Sequence, residues 1–524
     1  MSRKRGALLA AIMGSAVVAV DATVVNIALP HVTDDLGGGL AGQQWVANAY
    51  LLTLASLILV AGSLSDLFGE RRVFVAGVAG FGVFSLLCAI APTIEVLVAA
   101  RALQGVAGAL LTPASLAIIV SVFPAAERGA AIGSWTAWGG IGFVVGPLLG
   151  GLIVDAVSWR LVFGVNVPLV LVTLAVAARH VPRGERTAGA ATRRVDVPGA
   201  LLCALGLGGV SFALIEQPVL GGSDPLVRGP LAAGCAALVA FVVVEARVRD
   251  PMLPLGLFRR RNFTVANVET LAMYGGMAIS GFFLTLFLQQ VAGWSALQAG
   301  AVTLIPTTAM FLLSRRFGAL ADRYGPRWFM AVGPLLVACG FLLLLRLGAT
   351  TSFAADVLPA MLVYALGLAV TVAPLTATVL ADADVSDAGI ASAVNNAVAR
   401  TAALLATAAV GAVLASAWQA RLDDLVARER LGGAAAAAVE SVRDRALTTV
   451  PPGAVPPADR ARVTAGAAQA GVETFRVAAL AGAGLLTLAG LLGGAFLRNP
   501  SRHTEAECCP GGAIVGASEE LARA

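Results

Sequence analysis

Two carboxylates and one guanidinium lie inside long apolar stretches of the sequence, where each needs a partner or a function. Asp21 occurs in VDATVVNIALP (20–30), Arg101 in LVAARALQGVAGA (97–109), and Glu269 has apolar neighbours in a later stretch. A charged side chain at the centre of a bilayer costs at least ~2.5–3.5 kcal/mol on insertion scales. A carboxylate there can bind and release a proton, because burial and a nearby arginine change its proton affinity in opposite directions.

We predict that Asp21 is a proton-coupling or cation-binding carboxylate; the alternative is a hydrogen-bonded residue of helix packing. Glu269 is predicted to be a second site for a proton or for a substrate charge, unless it is a helix-end residue that water reaches. Asp21 lies about 14 residues into its stretch and Arg101 about 7 into its own, which at ~1.5 Å per residue gives both a similar depth in antiparallel helices. The two charges could therefore neutralise one another or compete for a proton.

Polar and aromatic residues on several stretches are predicted to line a cavity. Gln104 follows Arg101 by three residues, so the two share a helix face. Trp135 and Trp138 have the same spacing and can offer an aromatic wall to a flat or cationic ligand, although lipid-facing or packing positions explain them equally well. Arg400 needs a partner, and both a hydrogen-bond hub between helices and a substrate contact are open. The predicted lining consists of Asn26, Asn48, Tyr50, Gln104, Trp135, Trp138, Tyr274, Asn396 and Arg400.

The composition indicates that a lipid bilayer, not water, surrounds most of this chain. Of the 524 residues, 58% are hydrophobic and 13% are charged, and the mean hydropathy is +0.85. A soluble domain carries roughly twice that charged fraction. The net charge of +5 is small. The sequence does not combine a basic face with a soluble fold, so nucleic-acid binding is not predicted. We find no nucleotide loop or metal-ligand motif in a convincing context, and Cys508-Cys509 lacks a second ligand pair, so no cofactor, metal site or enzyme is predicted.

Fourteen apolar runs of about 20 residues are long enough to cross a bilayer as helices. An even number places both termini on the same side of the membrane. Arginines cluster before the first run and in alternate loops, so the positive-inside rule predicts that both termini are cytoplasmic. The predicted spans are 7–29, 44–64, 73–92, 95–121, 129–154, 159–178, 197–216, 229–247, 264–289, 297–316, 328–346, 355–379, 390–415 and 475–496.

One loop motif occurs twice and divides the chain. GSLSDLFGERR (62–72) and GALADRYGPR (318–327) share the pattern Gly-x-x-x-Asp-x-x-Gly followed by arginine. Glycine permits a tight turn after a helix, and arginine can hold the end of a neighbouring helix. Internal repeats with a site at their interface are the usual plan of secondary transporters. The predicted parts are a six-helix bundle (1–178), a linker with two inserted helices (179–250), a second six-helix bundle (251–498) with a long external loop (417–472), and a cytoplasmic tail (499–524).

Further motifs show which family the sequence resembles. They include VDATVVNIALP, the loop motif from Gly62 to Arg72, LVAARALQGVAGA and GSWTAWGGIGFVVGPLLGG (133–151), in which Gly146 precedes Pro147. QQWVANAYLL (43–52), SWRLVFGVNVPL (158–169) and QQVAGWSALQAGAVTLIP (289–306) are similar to other stretches of the same family. Taken in order, they resemble the major facilitator superfamily, and within it the fourteen-spanner drug:proton antiporters. Two departures are Leu67, where the family usually has arginine, and the alanines after Arg400.

The resemblance implies an all-α fold of two six-helix bundles plus two inserted helices, and export of amphipathic drugs or antibiotics in exchange for protons. It also implies a monomer and a proton-transfer role for Arg101; a structural tether to backbone carbonyls of the first helix is the alternative. A transporter of a metabolite, an amino acid or a lipid on the same fold remains the competing hypothesis. The residues implied in gating are Gly62, Asp66, Gly69, Arg71, Arg72, Gly142, Gly146, Pro147, Gly150, Asp322 and Arg323.

Overall fold

The computed structural model of the protein describes residues 3–182, 195–248, 251–381 and 388–499. This part of the chain folds into eighteen α-helices with short 3-10 and π segments and contains no β-strand. Thirteen helices are long and apolar enough to cross a membrane. The predicted tail beyond Asn499, with Cys508 and Cys509, lies outside the described residues, as does the central part of the predicted linker (183–194).

The first six predicted spans form one bundle. α4 packs against α2 and α3, while α1 lies against α4, α6 and α8. Thr93 begins α4 with a side-chain cap, its hydroxyl oxygen accepting the Val96 N–H at 3.5 Å. The helices of this bundle are α1 (Arg3–Leu36), α2 (Gly39–Phe68), α3 (Glu70–Ala89), α4 (Ile94–Val122), α5 (Ala125–Gly140), α6 (Gly142–Ala156), α7 (Arg160–Gly164) and α8 (Asn166–His180).

The fifth predicted span (129–154) is broken into α5 and α6. The break falls at Ile141, directly after two glycines and six residues before Pro147. Glycine is a weak helix former, and proline lacks the N–H and crowds the carbonyl four residues earlier. Because α6 is only fifteen residues long, it is too short to count among the thirteen long helices. The thirteen together with this broken span correspond to the fourteen predicted spans.

The two inserted helices form a hairpin, α9 (Val197–Leu220) and α10 (Pro225–Glu245). Asp224 caps the start of α10 by accepting the Leu226 N–H at 2.7 Å, and a proline follows the cap, as is common at a helix start. The helices approach closely at two glycines, since a Cβ on Gly209 would lie 3.0 Å from the Cα of Gly234. The hairpin packs against α2 of the first bundle and α16 of the second.

The second bundle repeats the plan of the first with two changes. α11 continues through two π segments (280–284 and 287–291), and short turns precede α11 and α15. α14 packs against α15 and α18, and α11 packs against α16 and α18. The helices are α11 (Arg261–Ile279), α12 (Ala296–Val302), α13 (Leu304–Tyr324), α14 (Arg327–Leu344), α15 (Leu358–Ala381), α16 (Ala388–Arg428), α17 (Gly433–Glu440) and α18 (Arg460–Phe496).

The predicted external loop (417–472) begins and ends inside helices. α16 continues to Arg428 and α18 already begins at Arg460, so the connection between them is shorter than predicted. Hydropathy detects only the part of a helix that matches the bilayer, whereas these helices continue beyond it. Trp418 shows why the extension is stable: it is fully buried, and its indole N–H donates to the Val442 carbonyl at 3.0 Å.

The two bundles contact one another chiefly through two pairs of helices, α6 with α12 and α2 with α16. We call the end where α1 begins and α18 finishes the terminal end, and the opposite one the far end. At the far end α6 contacts α12. Toward the terminal end their continuations, α5 and α13, pack within their own bundles, α5 on α1 and α4 and α13 on α15. α2 and α16 also pack on one another across the boundary between the bundles, whereas α5 and α13 do not pack on one another in the described structure.

Candidate functional site

Asp21 lies at the centre of a buried hydrogen-bond network in the first bundle. Its Oδ2 accepts the Arg101 Nη1–H at 2.6 Å, and its Oδ1 accepts from Gln104 Nε2 and from Asn166 Nδ2, each at 3.0 Å. The side chains of Asp21 and Arg101 are 0% and 2% exposed. The carboxylate thus joins α1, α4 and α8, and the structure places the predicted pair of charges in direct contact.

The guanidinium of Arg101 has further partners on two helices. It donates from Nη1 to Gln104 Oε1 at 2.6 Å and from Nε to the Val46 carbonyl of α2 at 3.1 Å. The Tyr50 ring lies 4.3 Å from the guanidinium carbon, within the range of a cation–π contact. Any tether to a backbone carbonyl is therefore made to α2, not to the first helix. A buried guanidinium held this way balances the charge of Asp21 and fixes its position.

Glu269 is buried in the second bundle and has no contact of this kind. The residue is 0% exposed, and neither carboxylate oxygen has a hydrogen-bond partner among the described residues. It lies on α11 beside α18, where a Cβ added to Gly493 would come within 2.7 Å of its Oε2. Water does not reach it as a helix-end residue. A fully buried carboxyl without hydrogen bonds is costly when ionised, so this position favours the neutral acid.

Several polar contacts cross between the bundles, and three of them are made by Gln44, Gln289 and Thr407. The Thr407 hydroxyl on α16 donates to Asn48 Oδ1 on α2 at 2.9 Å, and Gln44 Nε2 donates to the Thr407 carbonyl at 2.6 Å. Nearer the far end, Gln289 Nε2 donates to the Ile27 carbonyl at 3.2 Å. Asn48, predicted to line a cavity, is thus part of the contact between bundles.

The other predicted lining residues differ in exposure. Tyr50 is buried against Arg101, whereas Trp138 is 60% exposed. Trp135 is half-buried, and its indole N–H donates to the Ser15 hydroxyl of α1 at 2.8 Å, which gives it a packing contact. Three predicted residues, Asn26, Tyr274 and Arg400, are half-buried.

Asn396 is exposed, and its side-chain amide donates to the Ser392 carbonyl one turn earlier at 3.0 Å. Its neighbour Asn395 points elsewhere: it donates to Thr270 Oγ1 at 2.7 Å and to Asn267 Oδ1 at 3.2 Å. Both acceptors are on α11, beside Glu269 in sequence but without a bond to its carboxyl group. The hydrogen-bond hub in this region is therefore built on Asn395.

The repeated loop motif has the same geometry in both bundles. Gly69 and Gly325 each have φ +87°, a conformation that side-chain-bearing residues rarely adopt. Arg71 donates to the Ala178 carbonyl near the end of α8 at 3.1 Å, and Arg327 donates to the Gly494 carbonyl near the end of α18 at 2.7 Å. Each arginine thus clamps the last helix of its own bundle, where the negative end of the helix dipole favours a cation.

The remaining loop-motif residues differ in their surroundings. Gly62 has open space where a Cβ would stand. Arg72 and Asp322 are exposed, and the Arg323 guanidinium lies 5.4 Å from the ring of Tyr324. The side chain of Asp66 lies outside what the structure describes.

Three glycines of the antiporter-like motif pack against α1. A Cβ on Gly142 would lie 2.8 Å from the Ala19 Cβ, one on Gly146 would lie 3.2 Å from the Val20 carbonyl, and one on Gly150 would lie 3.3 Å from the Val24 Cα. Pro147, between them, is buried. These small residues let α6 lie directly on the helix that carries Asp21.

The next residues of α6 contact the second bundle. A Cβ on Gly300 of α12 would lie 2.6 Å from the Pro147 carbonyl oxygen, and one on Gly151 would lie 2.7 Å from the Leu297 nitrogen. Asp155 accepts the backbone N–H groups of Ala296 at 3.0 Å and Leu297 at 2.9 Å, so it caps the helix start of the other bundle. The contacts between the bundles at the far end therefore include backbone-to-backbone packing, the Asp155 cap, the Arg445–Asp34 ion pair and a bond from the Leu40 N–H to the Asp444 carbonyl at 3.0 Å.

A family model described as Major Facilitator Superfamily matches residues 11–407. The chain belongs to the Major Facilitator Superfamily. The membership makes it a multi-pass membrane transporter, not an enzyme, as the sequence predicts. The glycine motif, the repeated loop and the two six-helix bundles are thus parts of one superfamily scaffold.

Curated relatives in the superfamily are resistance and export proteins. The chain is 38% identical over 415 residues to a puromycin resistance protein of Streptomyces alboniger, covering 78% of this chain and 81% of the relative. It is 34% identical over 455 residues to a tetracenomycin C resistance and export protein of Streptomyces glaucescens, covering 86% and 82%. A multidrug resistance protein of Mycobacterium tuberculosis is 34% identical over 422 residues, covering 79% and 77%.

Solved structures share the superfamily fold. A bacterial homologue of the human lysosomal transporter Spinster, in an inward-facing and unoccupied conformation, aligns with a TM-score of 0.64 at 15% identity and covers 95% of this chain and 99% of its own. A D-xylose–proton symporter aligns with a TM-score of 0.55 at 15% identity, covering 78% and 90%. At this identity the likeness concerns the fold alone.

Two site residues were missed by the sequence reasoning. Asn166 lies in SWRLVFGVNVPL, and its side-chain amide donates to Asp21 Oδ1 at 3.0 Å. Asp155 was not noted, although an aspartate at the end of the apolar GGLIVDAV is a detectable signal. Glu245, at the end of α10, is 2% exposed and accepts the Leu253 N–H at 3.0 Å. The hydrogen-bond partner of each of these residues is distant in sequence or lies in a loop, so the spacing of residues along one helix does not reveal it.

Proposed function

We propose that the protein exports amphipathic antibiotics and related compounds across the cytoplasmic membrane in exchange for protons. The proposal includes a monomer with both termini in the cytoplasm. Its single strongest support is the buried network of Asp21, Arg101, Gln104 and Asn166, which keeps an ionisable carboxylate inside the bundle of a Major Facilitator Superfamily member. The names of the relatives, resistance to and export of antibiotics, support the direction and the cargo.

Proton coupling follows from what a proton does to this network. In the ionised state the Asp21 carboxylate accepts three hydrogen bonds and balances Arg101. A proton on the carboxylate removes the charge that Arg101 balances, so the contact weakens and the guanidinium becomes available to other acceptors. The reverse step releases the proton. Each charge that crosses the membrane supplies about 2.3 kcal/mol per 100 mV, which drives the exchange.

Glu269 provides a second site for the same chemistry in the other bundle. Its carboxyl group is buried and without hydrogen bonds in the described part of the chain. Ionisation of the Glu269 carboxyl group becomes favourable when water or a cation reaches it. It therefore responds to a conformation that opens the contact between α11 and α18.

Two features support the proposed orientation in the membrane: the loop-motif arginines at the terminal end, and the separation of α5 and α13 at the same end. The arginines of the two loop motifs, Arg71 and Arg327, are at the terminal end, and the positive-inside rule assigns such an end to the cytoplasm. In this proposal cargo enters at the same end, between α5 and α13, which do not pack on one another in the described structure. Closure at the far end then separates the cargo from the outside until the bundles rearrange.

A susceptibility panel tests the proposal. An efflux-deficient bacterial host expressing the full chain is challenged with amphipathic antibiotics, with and without a protonophore, and cell accumulation of each compound is measured. We expect reduced accumulation that the protonophore abolishes, and loss of the effect in Asp21→Asn. Asp224→Asn is the matched control, since it makes the same chemical change at a helix cap in the inserted hairpin. Transport that persists unchanged with the protonophore would argue against proton coupling, and unchanged accumulation of every compound would argue against export.

A further inference from the structure

Arg400 is a positive charge between the bundles without a negative partner. It lies on α16 seven residues before Thr407, which contacts Asn48 of the first bundle. Seven residues are close to two turns, so Arg400 shares that face and lies roughly 10 Å nearer the terminal end. It is half-buried, and among the described residues it makes no ion pair or hydrogen bond. Asn48 belongs to α2, so this face of α16 is turned toward the first bundle.

The two nearby carboxylates of the bundles are not available to Arg400. Asp21 is already paired with Arg101 at 2.6 Å, and both side chains are buried. Glu269 is fully buried beside Gly493 of α18 and is not exposed to the space between the bundles. The charge that remains in this space, within the part of the chain that the structure describes, is therefore positive.

Two more arginines lie on α13, which does not pack on α5 in the described structure. Arg315 and Arg316 are exposed on α13, and neither has a polar partner among the residues described. They are nine and eight residues before the end of the helix at Tyr324, which corresponds to roughly 12–14 Å along the axis. A guanidinium facing hydrocarbon at this depth is strongly disfavoured, whereas one in a water-filled opening is not. Their positions thus fit the mouth of the opening between α5 and α13.

We propose that Arg400 is the anchor for an acidic group of the cargo, and that the transported class consists of amphipathic monoanions such as carboxylates, sulfonates and phenolates. This inference rests on the proposed export function and adds the charge of the cargo. A guanidinium binds a carboxylate or sulfonate through parallel N–H donors, and the partly buried position strengthens the contact. Tyr274 offers an aromatic surface to the apolar part of the same ligand. Arg315 and Arg316 raise the local concentration of anions at the mouth.

A pair of fluorescent probes isolates the acidic group. 8-Anilinonaphthalene-1-sulfonate and N-phenyl-1-naphthylamine have the same aromatic skeleton and differ in the sulfonate. Binding of each to the purified full chain in lipid nanodiscs is measured, after subtraction of the signal from empty nanodiscs. We expect Arg400→Gln to weaken binding of the sulfonate about tenfold or more and to change binding of the neutral probe less than about twofold. Arg400→Lys, which keeps the charge, should retain most of the affinity.

The matched control is Arg346→Gln, which removes an exposed arginine just after α14. It should leave both affinities unchanged. Equal weakening of the two probes by Arg400→Gln, or an unchanged affinity for the sulfonate, would overturn the assignment. High salt should reduce sulfonate binding more in the unmodified chain than in Arg400→Gln, because the ionic contribution is screened.

Transport of the same probes separates this inference from the proposed function. In inverted membrane vesicles the proposed function requires proton-driven uptake of at least one of three probes: the sulfonate, the neutral amine and the cation ethidium. Uptake of none would contradict the export function, while the nanodisc affinities would still decide the role of Arg400. Uptake of ethidium or the neutral amine without the sulfonate would contradict the anionic cargo and leave export intact.

Discussion

Asp21→Asn changes one charge while nearly preserving the shape of a buried side chain. All three side chains that bond to the Asp21 carboxylate are donors: Arg101 at 2.6 Å, and Gln104 and Asn166 at 3.0 Å each. An asparagine keeps one acceptor oxygen but places an NH₂ group against a donor. It also leaves the Arg101 guanidinium, 2% exposed, without its counter-charge. Removing one member of a buried pair typically costs about 3–5 kcal/mol.

We therefore expect Asp21→Asn to insert into the membrane but to unfold at a lower temperature by several degrees and to lose proton-coupled transport. The double variant Asp21→Asn/Arg101→Gln removes the unbalanced charge as well. It should recover most of the lost stability, since replacing both partners of a pair is much less costly than removing one. It should not recover transport, because the ionisable carboxylate is still absent.

Two measurements check this prediction on the same detergent-solubilised and vesicle preparations. Thermal unfolding is followed by the loss of the monodisperse peak on size-exclusion chromatography, and exchange is followed by cargo-induced proton movement in inverted vesicles. A single variant as stable as the unmodified chain would refute the account of the buried pair. A double variant with full exchange would refute the coupling role of Asp21.

The remaining predictions concern the second bundle and the far end. Glu269→Met should raise the unfolding temperature, because it replaces a buried carboxyl group that has no hydrogen bond in the described structure. It should also lower the number of protons exchanged per cargo molecule. A lower unfolding temperature would contradict the absence of a partner for Glu269. Gly300→Val should prevent far-end closure, since its Cβ would lie 2.6 Å from the Pro147 carbonyl oxygen. A cysteine at Thr448, in the far-end cavity of about 310 Å³, should then react faster with a membrane-impermeant maleimide, and Gly484→Val, with open space around its Cβ, should leave that rate unchanged.

Much of the fold could be predicted because bilayer thickness sets the length of an apolar run. The fourteen runs correspond to thirteen long helices and one broken span, and the repeated loop motif predicted two equivalent turns. Hydropathy could not show that α16 and α18 continue past the membrane, because their extensions are stabilised by packing, as at Trp418. It also could not show the break at Ile141, because hydropathy does not register the weak helix propensity of two glycines and a nearby proline.

The sequence predicted those contacts of the candidate site that depend only on the depth of a residue in the membrane. Depth along antiparallel helices was enough to bring Asp21 and Arg101 together, since both helices cross the same membrane. Rotation about the helix axis is the second coordinate, and spacing within a single helix does not give it. That is why the spacing could not show that Asn395, and not Asn396, bonds to α11. The burial of Glu269 was predictable from its apolar neighbours, but the absence of a partner was not.

α1 links the Asp21 carboxylate to the contact between α6 and α12 at the far end. The residues on either side of Asp21 that meet α6, from Ala19 to Val24, are those on which Gly142, Gly146 and Gly150 rest. α6 in turn contacts α12 through Asp155 and through the packing of the Pro147 carbonyl on Gly300. A shift of α1 that accompanies breakage of the Asp21–Arg101 contact must therefore move the surface under α6, because glycines leave no flexible side chains to absorb it. Close packing makes the far-end contact sensitive to the ionisation state of one aspartate without any direct bond between them.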